Sequence, residues 1–292
     1  MVGARWPELL DELEGIAAGA RQDPLELLAV NARTELLSPI AVTECSAIGR
    51  LGRDGVTLAQ NWDWHPDLAR ARVVVTTSPP GHPWFVTMTE AGMLAKVGLN
   101  ERGVACTLNF LTCSVDGGVE GVPIHMLLRV LLERCGSAAD ALELLLSADV
   151  SASSCVTVAA SEPGGTALFA VELSPGGSQV VWPADDDGLL VHTNHFLAPP
   201  RLGEDTQPAL HPGTLLRRSH LERVIRAGVD AERALAQHFP AREPVCRHRD
   251  PDDEWAQRRE TLVSIALDPG VPAMRIAAGP PCHTPYEDVP LP

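Results

Sequence analysis

Apolar residues near the N-terminus recur at the spacing of a helix. Leu9 and Leu13 fall four residues apart on one buried face, and Ile16 continues that face. Asp23 and Pro24 predict the start of a second helix, because aspartate is a preferred N-cap and proline is tolerated in the first turn. The first part of the chain is therefore predicted to be helical.

After residue 41 the pattern changes to short apolar runs punctuated by glycine and proline, which is typical of β-strands. Two groups of these runs are separated by a helical segment at residues 123–147, and further helices are predicted at 214–227 and 230–239. This order favours one layered α/β domain in which helices cover sheets. Strands are predicted at residues 57–64, 73–77, 84–89, 96–99, 104–110, 155–160, 167–173 and 180–182, in GLLVHTNHF, and in a closing hairpin, TLVSIALDPGVPAMRIAAG.

The composition limits the class of partner. The chain has 292 residues, 45% of them hydrophobic, which is enough for one large core. A formal net charge of −15 argues against nucleic acid or an anionic membrane surface as a partner. No apolar run reaches the roughly 18 residues that a membrane span needs. We therefore expect a soluble, cytoplasmic protein.

Seven cysteines are scattered along the chain without a CxxC pair, so the sequence predicts no disulfide framework. Cys246 and His248 stand in a charged loop, VCRHRDPDDE, and are interpreted as a solvated face with an incidental cysteine. His192 and His195 stand at a predicted strand end and are interpreted as core or surface residues. We expect neither a metal ion nor a cofactor, and the glycine-rich nucleotide-binding motifs are absent from the sequence.

Several blocks of the sequence resemble a known family. They are RWPELLDELEGIAAGARQDPLELLAVNARTEL, CSAIG followed by GVTLAQNWDW, TEAGMLAKVGLNERGVACTLNFL with VHTNHF, and RRETLVSIALDPGVPAMRIAAGPP. In that order they resemble the pro-region, the start of the β-chain, two middle blocks and the last strand pair of the acyl-coenzyme A:6-aminopenicillanate acyltransferases, peptidase family C45. Together the blocks cover most of the chain.

The resemblance places the chain among the N-terminal nucleophile hydrolases and implies a four-layer αββα sandwich of two mainly antiparallel sheets. Such a chain is made as an inactive precursor and cuts itself before a cysteine. Here the cut would fall between Glu44 and Cys45. Residues 1–44 would become a mostly helical α-chain and residues 45–292 the catalytic β-chain, so that an α/β heterodimer forms one structural domain.

Cys45 would be the nucleophile, and its chemistry explains the cut. A thiol is a weak nucleophile at its ordinary pKa and needs a base close by. An N-terminal cysteine carries that base itself, since an α-amine titrates at about 7.7–8.0. Cys45 gains this amine only after the cut, so the uncut chain is expected to be inactive.

The resemblance also implies roles for residues far from the nucleophile in sequence. Asp63, in QNWDW, would orient the α-amine. Asn109 and Asn194 would point side-chain amides at the oxyanion that develops in the transition state. Arg258 would pair with the aspartate and support the nucleophile, with the register open by one residue because Arg259 follows it.

The substrate is expected to be a small N-acylated amine or amino acid. Trp64 and His65 stand where the penicillin enzymes have an aromatic pair that lines the acyl pocket. The acidic composition argues against an acyl-CoA donor unless arginines gather near the pocket. The sequence also lacks the strand that normally opens the pro-region, and a second copy of the chain could cover the sheet edge that this exposes, giving a homo-oligomer.

Two alternatives remain open at this stage. The chain could be an uncleaved homologue that keeps the fold as a binding or scaffold protein, which the charged Glu44 motivates because the penicillin enzymes have glycine there. It could also be a transacylase that uses an internal Cys45 and never needs the cut. That enzyme would require another base, and the candidates are His65 and His195.

Overall fold

Two antiparallel sheets lie face to face at the centre of the protein, and helices cover both outer faces. This computed structural model describes residues 2–37, 44–118, 120–184 and 187–292. The first sheet contains β1 (Glu44–Gly52), β2 (Gly55–Trp64), β10 (Leu189–His192), β11 (Glu260–Asp268), β12 (Ala273–Ala277) and β13 (Glu287–Asp288). The second contains β3 (Arg72–Thr77), β4 (Phe85–Glu90), β5 (Val97–Asn100), β6 (Val104–Phe110), β7 (Ser154–Glu162), β8 (Gly165–Leu173) and β9 (Gln179–Val181).

The order of the strands makes both β1 and β2 interior strands of the first sheet. That order is β10-β1-β2-β11-β12-β13, whereas the second sheet runs β3 to β9 in sequence order. The helices are α1 (Val2–Arg5), α2 (Pro7–Ala20), α3 (Pro24–Asn31), α4 (Arg33–Leu37), α5 (Ile124–Arg134), α6 (Ala138–Leu146), α7 (Gln207–Leu210), α8 (Gly213–Arg226) and α9 (Ala231–Leu235).

Among the described residues, three apolar clusters hold the four layers together. One fills the space between the sheets, with Leu58 and Leu99 contributed from opposite sides. A second packs the N-terminal helices, α5 and α6 on the outer face of the second sheet. The third packs α8 and α9 on the outer face of the first sheet, around Ile48 and Leu221. The predicted αββα sandwich of antiparallel sheets is thereby confirmed.

Local sequence signals explain the start of some helices. The Asp23 side chain accepts a hydrogen bond from the backbone N–H of Leu25, so the predicted N-cap is confirmed. Ser137 caps α6 in the same way, through the N–H of Asp140. The predicted helix at 230–239 ends earlier, at Leu235, and the chain after it turns back to form a loop along the outer face of the first sheet.

The predicted α-chain is built into the fold. Trp6, Leu9 and Leu13 are buried in the same cluster as Leu128 of α5. Asn31, fully buried at the end of α3, donates to the carbonyl oxygen of Gly92 at 2.7 Å. None of the described helices combines the length and apolar character that a membrane crossing requires.

Candidate active site

Strand β1 places the thiol of Cys45 between the two sheets. Successive side chains of a strand point to opposite faces, so Cys45 joins the inter-sheet cluster while Ser46 faces the outer helix layer. Cys45 pairs with Trp62 of β2, and Glu44 pairs with Asp63. The register therefore brings the predicted nucleophile and the predicted aspartate to neighbouring positions of two central strands.

The backbone of Cys45 is held on both sides by buried polar groups. Its N–H donates to the Oδ1 of Asn194 at 2.8 Å. Its carbonyl oxygen accepts from the guanidinium of Arg217 at 2.8 Å, and a second nitrogen of that guanidinium donates to the same Asn194 oxygen at 3.0 Å. The peptide nitrogen that a cut would turn into an α-amine is thus fixed by the Asn194 side chain.

The thiol of Cys45 is protonated at neutral pH in this arrangement. Burial, and then the negative charge of Asp63, raise the pKa of Cys45 to about 12, while Lys96 and Arg217 act in the opposite direction. A thiol held in this way is a poor nucleophile without a base.

Asp63 is fully buried and is anchored from β11. Its Oδ1 accepts a hydrogen bond from the hydroxyl of Thr261 at 2.6 Å. That hydroxyl also accepts from the backbone N–H of Arg247 at 2.9 Å. A loop on the outer face of the first sheet therefore helps to position the carboxylate.

Both predicted oxyanion residues are buried, and their amide groups already have partners. The Nδ2 of Asn194 donates to the carbonyl oxygen of Phe110 at 3.0 Å. The Nδ2 of Asn109 donates to the carbonyl oxygen of His192 at 3.3 Å, and its Oδ1 has no hydrogen-bond partner in the described part of the chain. Asn194 therefore contacts Cys45 through its side-chain oxygen, which accepts from the backbone N–H of Cys45. The sequence did not indicate this contact.

The arginine that contacts Cys45 is one that the sequence analysis missed. Arg217 lies on α8, is fully buried, and also donates to the Oγ of Ser46 at 2.8 Å. Arg258, the predicted residue, lies at the end of a short 3-10 turn and its Nε donates to the carbonyl oxygen of Asp253 at 3.2 Å. Arg259 donates to the carbonyl oxygens of Ala256 and Arg258.

A pocket opens beside the Cys45 thiol. Its walls are mostly apolar and aromatic, and α4 of the predicted α-chain supplies part of one side. The lining residues are Arg33, Thr34, Leu37, Cys45, Trp62, Trp64, Lys96, Leu108, Phe110, His125 and Ser154. Trp64 lines this pocket, and its role in binding substrate stays a prediction.

Lys96, the single lysine of the chain, brings a positive charge to this pocket. Its Nζ lies 2.8 Å from Glu90 and 3.5 Å from the centre of the Trp62 ring. Burial lowers the pKa of Lys96 to about 8, and the ion pair with Glu90 opposes that shift. Arg33 makes a two-pronged pair with the same carboxylate, at 2.6 and 2.7 Å.

The two histidines considered as alternative bases are engaged elsewhere. His65 packs at a tilt against the ring of Trp255, with ring centres 4.5 Å apart, and contacts the carbonyl oxygen of Trp255 through Nε2 at 2.8 Å. His195 contacts the hydroxyls of Thr193 and Thr214, and burial lowers its pKa to about 3. Neither side chain is among the residues that line the pocket.

The predicted cut lies at the start of β1, between Glu44 and Cys45. Residues 38–43 lie outside the described residues, and only the backbone of Glu44 is described. The cut and the assignment of the two chains stay predictions.

The sequence was also compared with known protein families and with curated proteins. The chain matches the model of the family described as acyl-coenzyme A:6-aminopenicillanic acid acyl-transferase over residues 50–279. It is 33% identical, over 200 residues, to the 40 kDa form of acyl-coenzyme A:6-aminopenicillanic-acid-acyltransferase from Emericella nidulans, a match of 66% of this chain and 53% of the relative. The chain thus spans about half the length of that curated relative.

Solved structures share the fold at low sequence identity. A Caenorhabditis elegans ortholog of N-acylethanolamine-hydrolyzing acid amidase has a TM-score of 0.55 at 14% identity, covering 84% of this chain and 100% of that one. A mutant of the conjugated bile acid hydrolase from Clostridium perfringens has a TM-score of 0.55 at 13% identity, covering 85% of this chain and 97% of that one. These likenesses concern the fold alone.

Proposed function

The chain belongs to the acyl-coenzyme A:6-aminopenicillanic acid acyl-transferase family, and we propose that it is a self-processing cysteine amidohydrolase or acyltransferase. Its nucleophile is Cys45, and its substrate is a small N-acylated amine or amino acid. The single observation that carries this proposal is the position of Cys45, whose thiol borders an apolar pocket while Asn194 and Arg217 hold its backbone.

The first chemical step is the cut itself. The Sγ of Cys45 attacks the carbonyl carbon of Glu44, and the thiol proton passes to the peptide nitrogen as the C–N bond breaks. The product is a thioester between Glu44 and Cys45 with a free α-amine. Water then opens the thioester, which releases the Glu44 carboxylate and restores the thiol.

The cut supplies the base that the buried thiol lacks. The nitrogen that donates to Asn194 at 2.8 Å becomes an α-amine, whose ordinary pKa is about 7.7–8.0. This amine accepts the thiol proton when Cys45 attacks a substrate amide, and returns a proton to the leaving amine. Asp63, fixed by Thr261, stabilises the charged amine.

The pocket supports a small, largely apolar acyl group. Trp62, Trp64, Leu108 and Phe110 provide aromatic and aliphatic walls beside the thiol, and pockets for small ligands are typically lined by such side chains. The acyl group forms a thioester with Cys45, and either water or an acceptor amine takes it. The Emericella nidulans relative is named for acyl-coenzyme A and 6-aminopenicillanic acid, so both are worth testing as substrates.

The intact mass of the purified chain tests the proposal. Wild type should give two fragments, one ending at Glu44 and one beginning at Cys45, and Cys45→Ala should give one uncut chain. Cys113→Ser is the matched control, because Cys113 is also buried but does not line the pocket. Wild type that stays intact for days would contradict the self-cleavage and favour an uncleaved binding protein.

A screen of N-acyl substrates completes the test. The processed chain should release or transfer an acyl group, and mass spectrometry should detect an acyl-thioester on the peptide that begins at Cys45. Modification of that residue after brief incubation with substrate distinguishes a covalent mechanism from simple binding. An acyl group found on any other cysteine would contradict the assignment of the nucleophile.

A further inference from the structure

Four potential metal ligands from separate parts of the chain meet on the outer side of the first sheet. His238 follows α9, Cys246 and His248 belong to the loop between α9 and β11, and Cys282 follows β12. One ligand atom from each lies within 4.8 Å of every other. We call these residues the His–Cys cluster.

The distances inside the His–Cys cluster match the edges of a tetrahedron around one ion. The Nε2 atoms of His238 and His248 lie 3.1 Å apart, and the Nε2 of His248 lies 3.8 Å from the Sγ of Cys246 and 3.2 Å from that of Cys282. Bond lengths of about 2.05 Å to nitrogen and 2.3 Å to sulfur give tetrahedral edges of about 3.3 Å between nitrogens and 3.6 Å between nitrogen and sulfur.

We infer that the His–Cys cluster binds one zinc ion. Two thiolates and two imidazoles in a tetrahedral arrangement are the donor set typical of structural zinc sites. Two cysteines lose their protons on binding, so two negative charges balance the dication. Four protein ligands leave no open position for water or substrate, which makes the role structural.

The proposed zinc ion would hold a loop that supports the active site. The loop residue Arg247 lies between Cys246 and His248, and its N–H donates to Thr261, which in turn donates to Asp63. The carbonyl oxygen of Val245 accepts from the buried Asn61 of β2 at 2.8 Å. The zinc ion would therefore join this loop to the end of β12 on the side of the sheet where Asp63 is anchored.

A disulfide between Cys246 and Cys282 is the competing use of the two thiols. The structure places no S–S bond between them. A disulfide would also leave unexplained why His238 and His248 turn their Nε2 atoms toward each other and toward the sulfurs. Convergence of four donor atoms on one point is the feature that favours zinc.

Metal analysis of the purified full-length protein tests the inference. Elemental analysis and native mass spectrometry should find about one zinc per chain. Losing even a group that supports a zinc ligand costs about 10–100-fold in metal affinity, so Cys282→Ser and His248→Gln should each lower zinc affinity at least tenfold. Cys113→Ser is the control and should keep its zinc.

Two further measurements make the result decisive. Cobalt added to metal-free protein should give the visible absorption of a tetrahedral thiolate site, and Cys282→Ser should weaken it. Cys45→Ala should bind zinc like wild type, so the outcome does not depend on the proposed catalytic function. Wild type that takes up neither ion, or that carries a Cys246–Cys282 disulfide after purification under reducing conditions, would overturn the inference.

Discussion

The guanidinium of Arg217 lies 2.8 Å from the backbone carbonyl oxygen of Cys45 and reaches it from the outer helix layer. The same group donates to Ser46 and to Asn194, so one fully buried cation joins the strand of the nucleophile to the loop after β10. A buried guanidinium needs hydrogen bonds such as these to offset the free energy of leaving water. Its contacts therefore fix the position of the peptide unit that follows the proposed cut.

Arg217→Lys should keep the positive charge but lose the arrangement of hydrogen bonds that the guanidinium makes. A lysine ammonium cannot present the planar fork that lets one side chain donate to Cys45, Ser46 and Asn194 together. Displacement of a reacting group by about 1 Å can cost about 10²-fold in rate, and we expect a loss of that order in both self-cleavage and acyl turnover. Time-resolved intact mass and steady-state kinetics measure the two effects.

Arg218→Lys is the matched control, since Arg218 is the next residue of α8 and pairs with Glu222 near the surface at 2.6 Å. It should cleave and turn over like wild type. Equal rates for Arg217→Lys and wild type would show that Arg217 does not position the nucleophile.

Ser154 offers a second, different test of the pocket. Its Oγ is buried, lines the pocket beside Cys45, and has no hydrogen-bond partner in the described part of the chain. A buried unpaired hydroxyl destabilises the fold, so Ser154→Ala should leave the free energy of unfolding unchanged or raise it by about 1 kcal/mol. If the hydroxyl binds substrate, KM should rise by about fivefold, the equivalent of one neutral hydrogen bond.

The control for Ser154→Ala is Thr107→Val. The Thr107 hydroxyl is also buried without a partner among the described residues, but it does not line the pocket. Denaturant titration should give similar stability changes for the two variants, and only Ser154→Ala should change KM. An unchanged KM would remove Ser154 from the substrate site.

The sequence predicted those parts of the fold that depend on local patterns. Cys45 and Asp63 could be identified because they stand eighteen residues apart in two blocks that resemble one family, and β1 and β2 are adjacent strands. The N-cap at Asp23 could be predicted because capping depends only on residues within one helical turn.

The residues that the sequence did not reveal make contacts with residues that are far away along the chain. Arg217 stands beside Arg218 in an ordinary amphipathic helix, and nothing in that pattern distinguishes the buried guanidinium from the half-exposed one. Likewise, Cys246 and Cys282 are brought together by the turn of β11 into β12, a tertiary contact that spacing in the sequence does not encode.

Glu35 is a titratable carboxyl on α4, the helix that borders the pocket. Its Oε1 accepts from the N–H of Ile124 at the start of α5 at 2.8 Å. Burial raises the pKa of Glu35 from 4.5 to about 7, although the hydrogen bond from Ile124 opposes the shift. Arg33 and Thr34 of the same helix line the pocket.

The raised pKa of Glu35 predicts that stability falls as pH rises from about 4.5 to about 7. In that window the folded chain holds a proton that the unfolded chain has released, so the folded state is favoured most at the acidic end. Glu35→Gln mimics the protonated carboxyl and should raise the thermal midpoint at about pH 8 but not at about pH 4.5.

Both the reference chain and the Glu35→Gln chain should carry Cys45→Ala, so that cleavage does not complicate unfolding. Glu14→Gln, an exposed change on α2, is the control and should show no such difference. A Glu35→Gln gain that is equal at both pH values would contradict the titration and leave only a packing effect.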